Sequence, residues 1–138
     1  MKFVKRKLAV FDIDGTIFRS SLARSLFYKL IEAGIFPRRA LAEVQPEYDA
    51  WVNRLVQYDT YIDKLIAVFQ KYIKGVEQKK MRALSKKVVA AEKMRVYRFT
   101  RDLIVELKKK NYFIVAISGS PWEIVRWYNR FLRFNKTY

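Results

Sequence analysis

The chain has 138 residues, of which 51% are hydrophobic and 30% are charged, and its formal net charge is +16. This length and composition suit one modest hydrophobic core and exclude a fibrous or a disordered protein. Cysteine and histidine are both absent, so any chemistry must come from carboxylates, hydroxyls, lysines or a metal ion held by oxygen.

The first predicted element is a strand. Its apolar run, residues 8–11, is typical of a strand that is buried on both faces of an α/β sheet. Asp12 and Asp14 follow at the carboxyl end, where open α/β sheets place their ligands, Gly15 permits a tight turn, and Thr16 adds a hydroxyl. Two carboxylates at a strand tip indicate an active site. The alternative is that these acids only form a turn. A turn alone does not account for the whole pattern of an apolar strand followed by Asp-x-Asp-Gly-Thr.

The pattern of residues 19–95 is helical. Ser20 or Ser21 can cap a first helix whose apolar positions recur at helical spacing. A short helical segment that ends before Pro46, further amphipathic runs, and a basic helix beyond Gly75 follow. The aromatic residues of this region fit interhelical packing better than a cofactor site. We therefore predict an all-helical insertion.

The α/β pattern returns in the last third of the chain. A helix from about Phe99 carries three lysines near its end, which suits the helix dipole. Residues 112–117 form a second apolar run, with Ser118-Gly119-Ser120-Pro121 at its tip and another amphipathic helix behind it. A hydroxyl and a glycine amide ahead of a helix N-terminus form a natural phosphate cradle, although such a turn by itself is more often structural.

The two strand tips resemble the motifs of the haloacid dehalogenase (HAD) superfamily. Its first motif is an apolar strand followed by Asp-x-Asp-Gly-Thr, as at residues 12–16, and its second is an apolar strand that ends in Ser or Thr, as at Ser118. The string Ile117-Ser118-Gly119-Ser120-Pro121 is similar to subfamily IB, the phosphoserine-phosphatase-like branch, and the helical insertion looks like that family's cap.

This resemblance implies an α/β fold with a partial Rossmann-like core. Its parallel strands would lie near residues 7–12 and 112–117, and its all-helical cap would follow the first motif. We expect the core to comprise residues 1–18 and 96–138, and the cap residues 19–95.

The resemblance also implies a mechanism. Asp12 would be the nucleophile that forms an aspartyl-phosphate, while Asp14 would protonate the leaving alcohol and then activate water. The Asp12 side chain and the Asp14 backbone carbonyl would hold Mg²⁺. Thr16, Ser118 and Gly119 would bind the substrate phosphate. The expected activity is Mg²⁺-dependent hydrolysis of a small phosphomonoester.

Two features depart from the pattern of the family. Phosphoserine phosphatases carry an acid early in the cap, whereas Arg19-Ser20-Ser21-Leu22 stands here, so an anionic or larger phosphomonoester fits as well as phosphoserine. The family's third-motif lysine and fourth-motif acids lie on later strands, and Lys136 is too near Ser118 to be that lysine. We therefore expect the front portion of a phosphatase, truncated before these motifs, with weak or no activity alone.

The net charge of +16 permits binding to RNA, DNA or an anionic lipid surface. Because the basic residues are spread along the chain, a solvated basic surface explains them better than a dedicated binding module. Two alternative functions stay open: a basic module that binds nucleic acid or an anionic surface, and a HAD-like scaffold without catalysis. The apolar runs are too short to span a bilayer and no signal-peptide pattern follows Met1, so we expect a cytoplasmic protein.

Overall fold

The computed structural model describes residues 5–138, which form an α/β fold with a parallel sheet, as predicted. In chain order the elements are β1 (Leu8–Asp12), α1 (Leu22–Glu32), α2 (Arg39–Val52), α3 (Tyr58–Tyr72), α4 (Gln78–Glu92), α5 (Arg98–Lys109), β2 (Phe113–Ile117), α6 (Trp122–Leu132) and β3 (Lys136–Thr137). The division into core and cap stays a prediction, and residues 1–4 of the predicted core lie outside the described residues. Within residues 5–138, none of the helices combines the length and apolar character that a bilayer crossing requires.

The sheet has the strand order β1-β2-β3, and each neighbouring pair is parallel. β1 pairs with β2 along its whole length, with Leu8 opposite Phe113 and Asp12 opposite Ile117. The sequence did not predict β3, because its two residues form no apolar run. Since the strands are parallel, the two polar tips that follow β1 and β2 lie at the same edge of the sheet.

One face of this sheet is buried and the other is largely exposed. Ile114 and Ala116 of β2 are fully buried, whereas Leu8 and Val10 of β1 are 60% and 54% exposed. The prediction that the first strand is buried on both faces is therefore wrong. The reason is that, among residues 5–138, the helices bury only the face that carries Ile114 and Ala116.

Helix α2 continues through Pro46, where the sequence predicted a break. Proline removes one backbone hydrogen bond and crowds the preceding turn, so such a helix needs support from packing. Val44 before the proline is buried, and Tyr48 and Trp51 after it pack against Tyr61 of α3 at centroid distances of 5.5 and 5.4 Å. Contacts on both sides of the proline thus hold the helix together.

Helix α1 joins the helical region to the sheet. It packs against α2, α3, α4 and α6, and its buried face includes Leu22, Leu26 and Leu30. Phe18, in the loop that leads to α1, packs edge-to-face on Tyr128 of α6 at 5.7 Å. The start of α1 is therefore held in a fixed position beside the carboxyl edge of the sheet.

Candidate active site

The loop after β1 presents Asp12 at the surface. The backbone N–H groups of Ile17 and Phe18 both donate to the Ile13 carbonyl, at 3.0 and 2.9 Å, which closes a tight turn. Gly15 adopts a φ of 81° in this turn, a conformation that side chains other than glycine rarely accept. The Thr16 hydroxyl donates a 3.0 Å hydrogen bond to Oδ2 of Asp12. The turn thus exposes the Asp12 carboxylate and orients it through Thr16.

Asp14 connects the two strand tips. Its Oδ2 accepts hydrogen bonds from the hydroxyls of Ser118, at 2.7 Å, and Ser120, at 2.9 Å. Its Oδ1 accepts a 2.6 Å bond from the backbone N–H of Leu22, the first residue of α1. One carboxylate therefore ties together the loop after β1, the loop after β2 and the first helix.

The N-terminus of α1 is capped by side chains from both motifs. The first N–H groups of a helix have no partner within the helix and need acceptors elsewhere. Leu22 donates to Asp14, the N–H of Ala23 donates to the Ser120 hydroxyl at 2.9 Å, and that of Arg24 donates to the Ser21 hydroxyl at 3.3 Å. The sequence predicted a cap by Ser20 or Ser21, and the structure places it at Ser21.

The predicted phosphate-binding residues fall into two groups. Gly119 is exposed and lines a cavity that opens beside Asp12 and Asp14. Thr16 and Ser118 do not line it. The Thr16 hydroxyl donates to Asp12, and the Ser118 hydroxyl donates to Asp14. The backbone N–H of Ser118 donates to the Tyr138 carbonyl at 3.0 Å and is therefore committed to the strand pairing.

The cavity has a volume of about 480 Å³ and lies between the sheet edge and helices α1, α2 and α3. Asp12 and Asp14 form one side of it. The other sides carry arginines and mainly apolar side chains: Arg19, Arg24, Arg95, Trp51, Tyr58, Tyr97, Ile62 and Ile66.

Sequence reasoning missed Ser120 and most residues of this cavity. The sequence could have indicated Ser120 as a site residue, since it lies two positions after Ser118 in the same turn and also has a hydroxyl. No sequence pattern indicated Arg24 and Arg95, because 71 positions separate them along the chain and only the fold brings them to one cavity.

Two tyrosines near the cavity, the exposed Tyr58 and the fully buried Tyr128, have raised pKa values. Desolvation by burial is the main cause of the raised Tyr58 pKa; the Arg24 cation opposes this rise and the Asp14 carboxylate adds to it. Burial also raises the pKa of Tyr128, and the Asp14 carboxylate contributes. Tyr58 therefore lies within electrostatic reach of both Arg24 and Asp14.

The site offers few protein ligands for a metal ion. Within residues 5–138, His, Cys, Asp and Glu side chains form no group of three or more that could hold one. The available donors are the Asp12 carboxylate and the Asp14 carbonyl oxygen. Mg²⁺ is commonly bound by one or two carboxylates, several waters and the substrate phosphate, so these oxygen donors fit such an ion.

Comparison with known proteins gives one family. Curated proteins provide no match to the chain. The family model for haloacid dehalogenase-like hydrolases matches residues 9–136, a span that contains both strand tips and all of the described helices. With this match over nearly its whole length, the chain belongs to the family of haloacid dehalogenase-like hydrolases.

Proposed function

We propose that the chain provides the catalytic carboxylates of a Mg²⁺-dependent phosphomonoester hydrolase. The observation that carries the proposal is the pair of acids at one strand tip, where Asp12 is exposed and Asp14 lies beside it with both oxygens hydrogen-bonded. The string from Ile117 to Pro121 and the helical insertion support placement in subfamily IB, the phosphoserine-phosphatase-like branch.

Asp12 is the proposed nucleophile. Because Thr16 holds its Oδ2, Oδ1 is the oxygen available to attack phosphorus. A bond forms between this oxygen and phosphorus while the ester P–O bond breaks, which gives an aspartyl-phosphate and an alcohol. When bound by the Asp12 side chain and the Asp14 carbonyl, Mg²⁺ supplies positive charge that offsets the repulsion between carboxylate and phosphate.

Asp14 is the proposed general acid and base. In its protonated form it gives its proton to the leaving oxygen, and as a carboxylate it then takes a proton from the water that attacks the aspartyl-phosphate. To reach the leaving group it must exchange at least one of its bonds to Ser118 and Ser120. Gly119 offers its backbone N–H to the phosphoryl oxygens from the turn that precedes α6.

The test is release of phosphate from 4-nitrophenyl phosphate in the presence of Mg²⁺. Asp12→Asn keeps the shape of the side chain but removes the nucleophilic charge, so release should fall to the level of a blank. Asp63→Asn removes an exposed carboxylate on α3 and serves as the matched control. Release that persists in Asp12→Asn would contradict the proposal.

A basic groove at the opposite edge of the sheet favours a second candidate function, the binding of a nucleic-acid backbone. The groove has a volume of about 780 Å³, and its cations precede all three strands: Lys5, Arg6, Lys7, Lys108, Lys110 and Arg133. Lys108 binds the Leu132 carbonyl and Lys110 pairs with Glu106 at 2.5 Å, so these two stabilise helix ends. Among residues 5–138, the other four form no salt bridge.

Fluorescence anisotropy of a labelled single-stranded RNA tests this second function. Binding should weaken steeply as the salt concentration rises, because cations on the protein displace the counterions of the phosphates. The triple variant Arg6→Gln, Lys7→Gln and Arg133→Gln should bind less than a control in which Lys79, Lys80 and Lys87 of α4 become Gln. Equal binding by the two variants, or binding only to anionic vesicles, would exclude the groove as a nucleic-acid site.

A further inference from the structure

Arg24 of α1 lies in a cluster of aromatic rings. The central carbon of its guanidinium is 5.7 to 5.9 Å from the ring centroids of Tyr28, Tyr48, Trp51 and Tyr61. Rings at this distance stabilise a cation through their negative faces and limit its contact with water. The Tyr58 hydroxyl can accept one guanidinium N–H. Because an arginine has five such donors, donor capacity remains for a ligand.

The charge of Arg24 is not offset by a carboxylate. Among residues 5–138 it forms no salt bridge with Asp or Glu. Arg95, on the same cavity, pairs instead with Glu92 at 3.1 Å, and Arg19 is exposed to solvent. Arg24 is thus the partly buried cation of this cavity that lacks an acidic partner in the described chain.

An apolar wall adjoins Arg24 and the catalytic acids. Trp51, Tyr58 and the isoleucines of α3 line the cavity together with them. Tyr58 lines the same cavity as Arg24 and Asp14 and lies within electrostatic reach of both. A ligand whose phosphate sits at Asp12 would therefore extend along the Tyr58 ring towards Arg24.

We propose that Arg24 selects phosphomonoesters whose leaving group carries a second anion, a carboxylate or a phosphate, at the end of an apolar stem. The inference rests on the proposed function of Asp12 and Asp14. A guanidinium binds either anion through two parallel N–H···O bonds, which gives both charge and geometric selection. The apolar stem contacts the wall formed by Trp51 and Tyr58. Leaving groups with an ammonium at that position are repelled.

Three aryl phosphates test the selection: phenyl phosphate, 4-carboxyphenyl phosphate and benzene-1,4-diyl bisphosphate. The unmodified chain should show kcat/KM about tenfold or more higher for the two esters that carry a second anion, the gain expected of a charge-assisted hydrogen bond. The ratio between those two esters tells carboxylate from phosphate recognition. Arg24→Gln should abolish the preference for the esters that carry a second anion, and Arg24→Lys should restore part of it.

Arg39→Gln is the matched control. Arg39 of α2 also lies over a tyrosine, with its guanidinium carbon 5.6 Å from the ring centroid of Tyr72, but it does not line the cavity. If Arg24 only packs against aromatic rings, Arg24→Gln and Arg39→Gln should both lower the melting temperature and neither should alter the substrate preference. That result, or equal kcat/KM for the three esters in the unmodified chain, would overturn the inference.

Calorimetric binding to Asp12→Asn separates this inference from the proposed function. This variant should bind 4-carboxyphenyl phosphate about tenfold more tightly than phenyl phosphate, and the double variant Asp12→Asn with Arg24→Gln should bind both equally. If Asp12→Asn does not lower phosphate release but the preference in binding depends on Arg24, the hydrolase proposal fails and the anion site stands. Equal binding of the esters, or no binding, overturns the anion site.

Discussion

The hydroxyl of Ser118 donates a 2.7 Å hydrogen bond to Asp14, although 104 positions separate the two residues in the chain. The same carboxylate caps the N-terminus of α1 through the N–H of Leu22. Asp14 therefore has a structural role in addition to its proposed role as general acid and base. Suitable substitutions should separate the two.

Asp14→Ala and Asp14→Asn should differ in stability but not in activity. The alanine variant leaves the N–H of Leu22 and the two serine hydroxyls without their acceptor, so its free energy of unfolding should fall by about 1 to 2 kcal/mol, as for other lost N-caps. The asparagine variant keeps an acceptor oxygen and should lose less. Urea denaturation measures the difference, and both variants should lack phosphatase activity. Equal stability of the two would show that the cap at Leu22 contributes nothing.

Ser120→Ala should destabilise the chain and Ser120→Thr should not. The hydroxyl of Ser120 both donates to Asp14 and accepts from the N–H of Ala23, which is buried at the start of α1. An unsatisfied buried donor costs about 1 to 3 kcal/mol, and threonine retains the hydroxyl. Urea denaturation midpoints of the two variants test this. A threonine variant as unstable as the alanine variant would point to steric fit rather than hydrogen bonding.

The two faces of the sheet should respond differently to truncation. Ile114→Ala on the buried face should lower the free energy of unfolding by about 2 to 5 kcal/mol, because it removes buried carbon atoms and leaves a cavity. Val10→Ala, at a position that is 54% exposed, should cost less than about 1 kcal/mol. Chemical denaturation in urea compares them directly. A large cost at Val10 would mean that this face is covered in solution.

Stability should fall at alkaline pH. Burial, and after it the 2.9 Å hydrogen bond to the Tyr28 hydroxyl, raises the pKa of Tyr61, and burial raises that of Tyr128. The folded state therefore favours neutral phenols, whereas the unfolded chain ionises near the usual tyrosine value of about 10. The contribution of these two tyrosines to the free energy of unfolding should be constant below that pH and decrease above it as the unfolded state releases protons.

Thermal unfolding at a series of alkaline pH values measures this decline, with tyrosinate absorbance as the second readout. Tyr61→Phe removes one titrating group and should flatten the dependence on pH. Replacing Tyr138, which is 61% exposed, should leave the slope as it is. A slope that Tyr61→Phe does not change would contradict the assignment.

Strands β1 and β2 and most helices of this fold could be predicted because the sequence patterns that indicate them are local. The apolar runs before Asp12 and Ser118 and the cap at Ser21 each depend on a few neighbouring residues. The prediction of a helix break at Pro46 is wrong because packing of α2 against α3 outweighs the local free-energy cost of proline. The exposure of Leu8 and Val10 could not be predicted, since an apolar strand does not specify which faces other elements will cover.

The sequence by itself determined that Asp12 and Asp14 stand at a strand tip and that Ser118 and Gly119 stand at another, because strand, turn and carboxylate are adjacent in the chain. Only the tertiary structure decided that Asp14 accepts hydrogen bonds from Ser118 and caps α1, and that Arg24 shares a cavity with Asp12 and Asp14. The physical reason is distance along the chain. Parallel strand pairing and helix packing bring these groups together, and no local pattern records either.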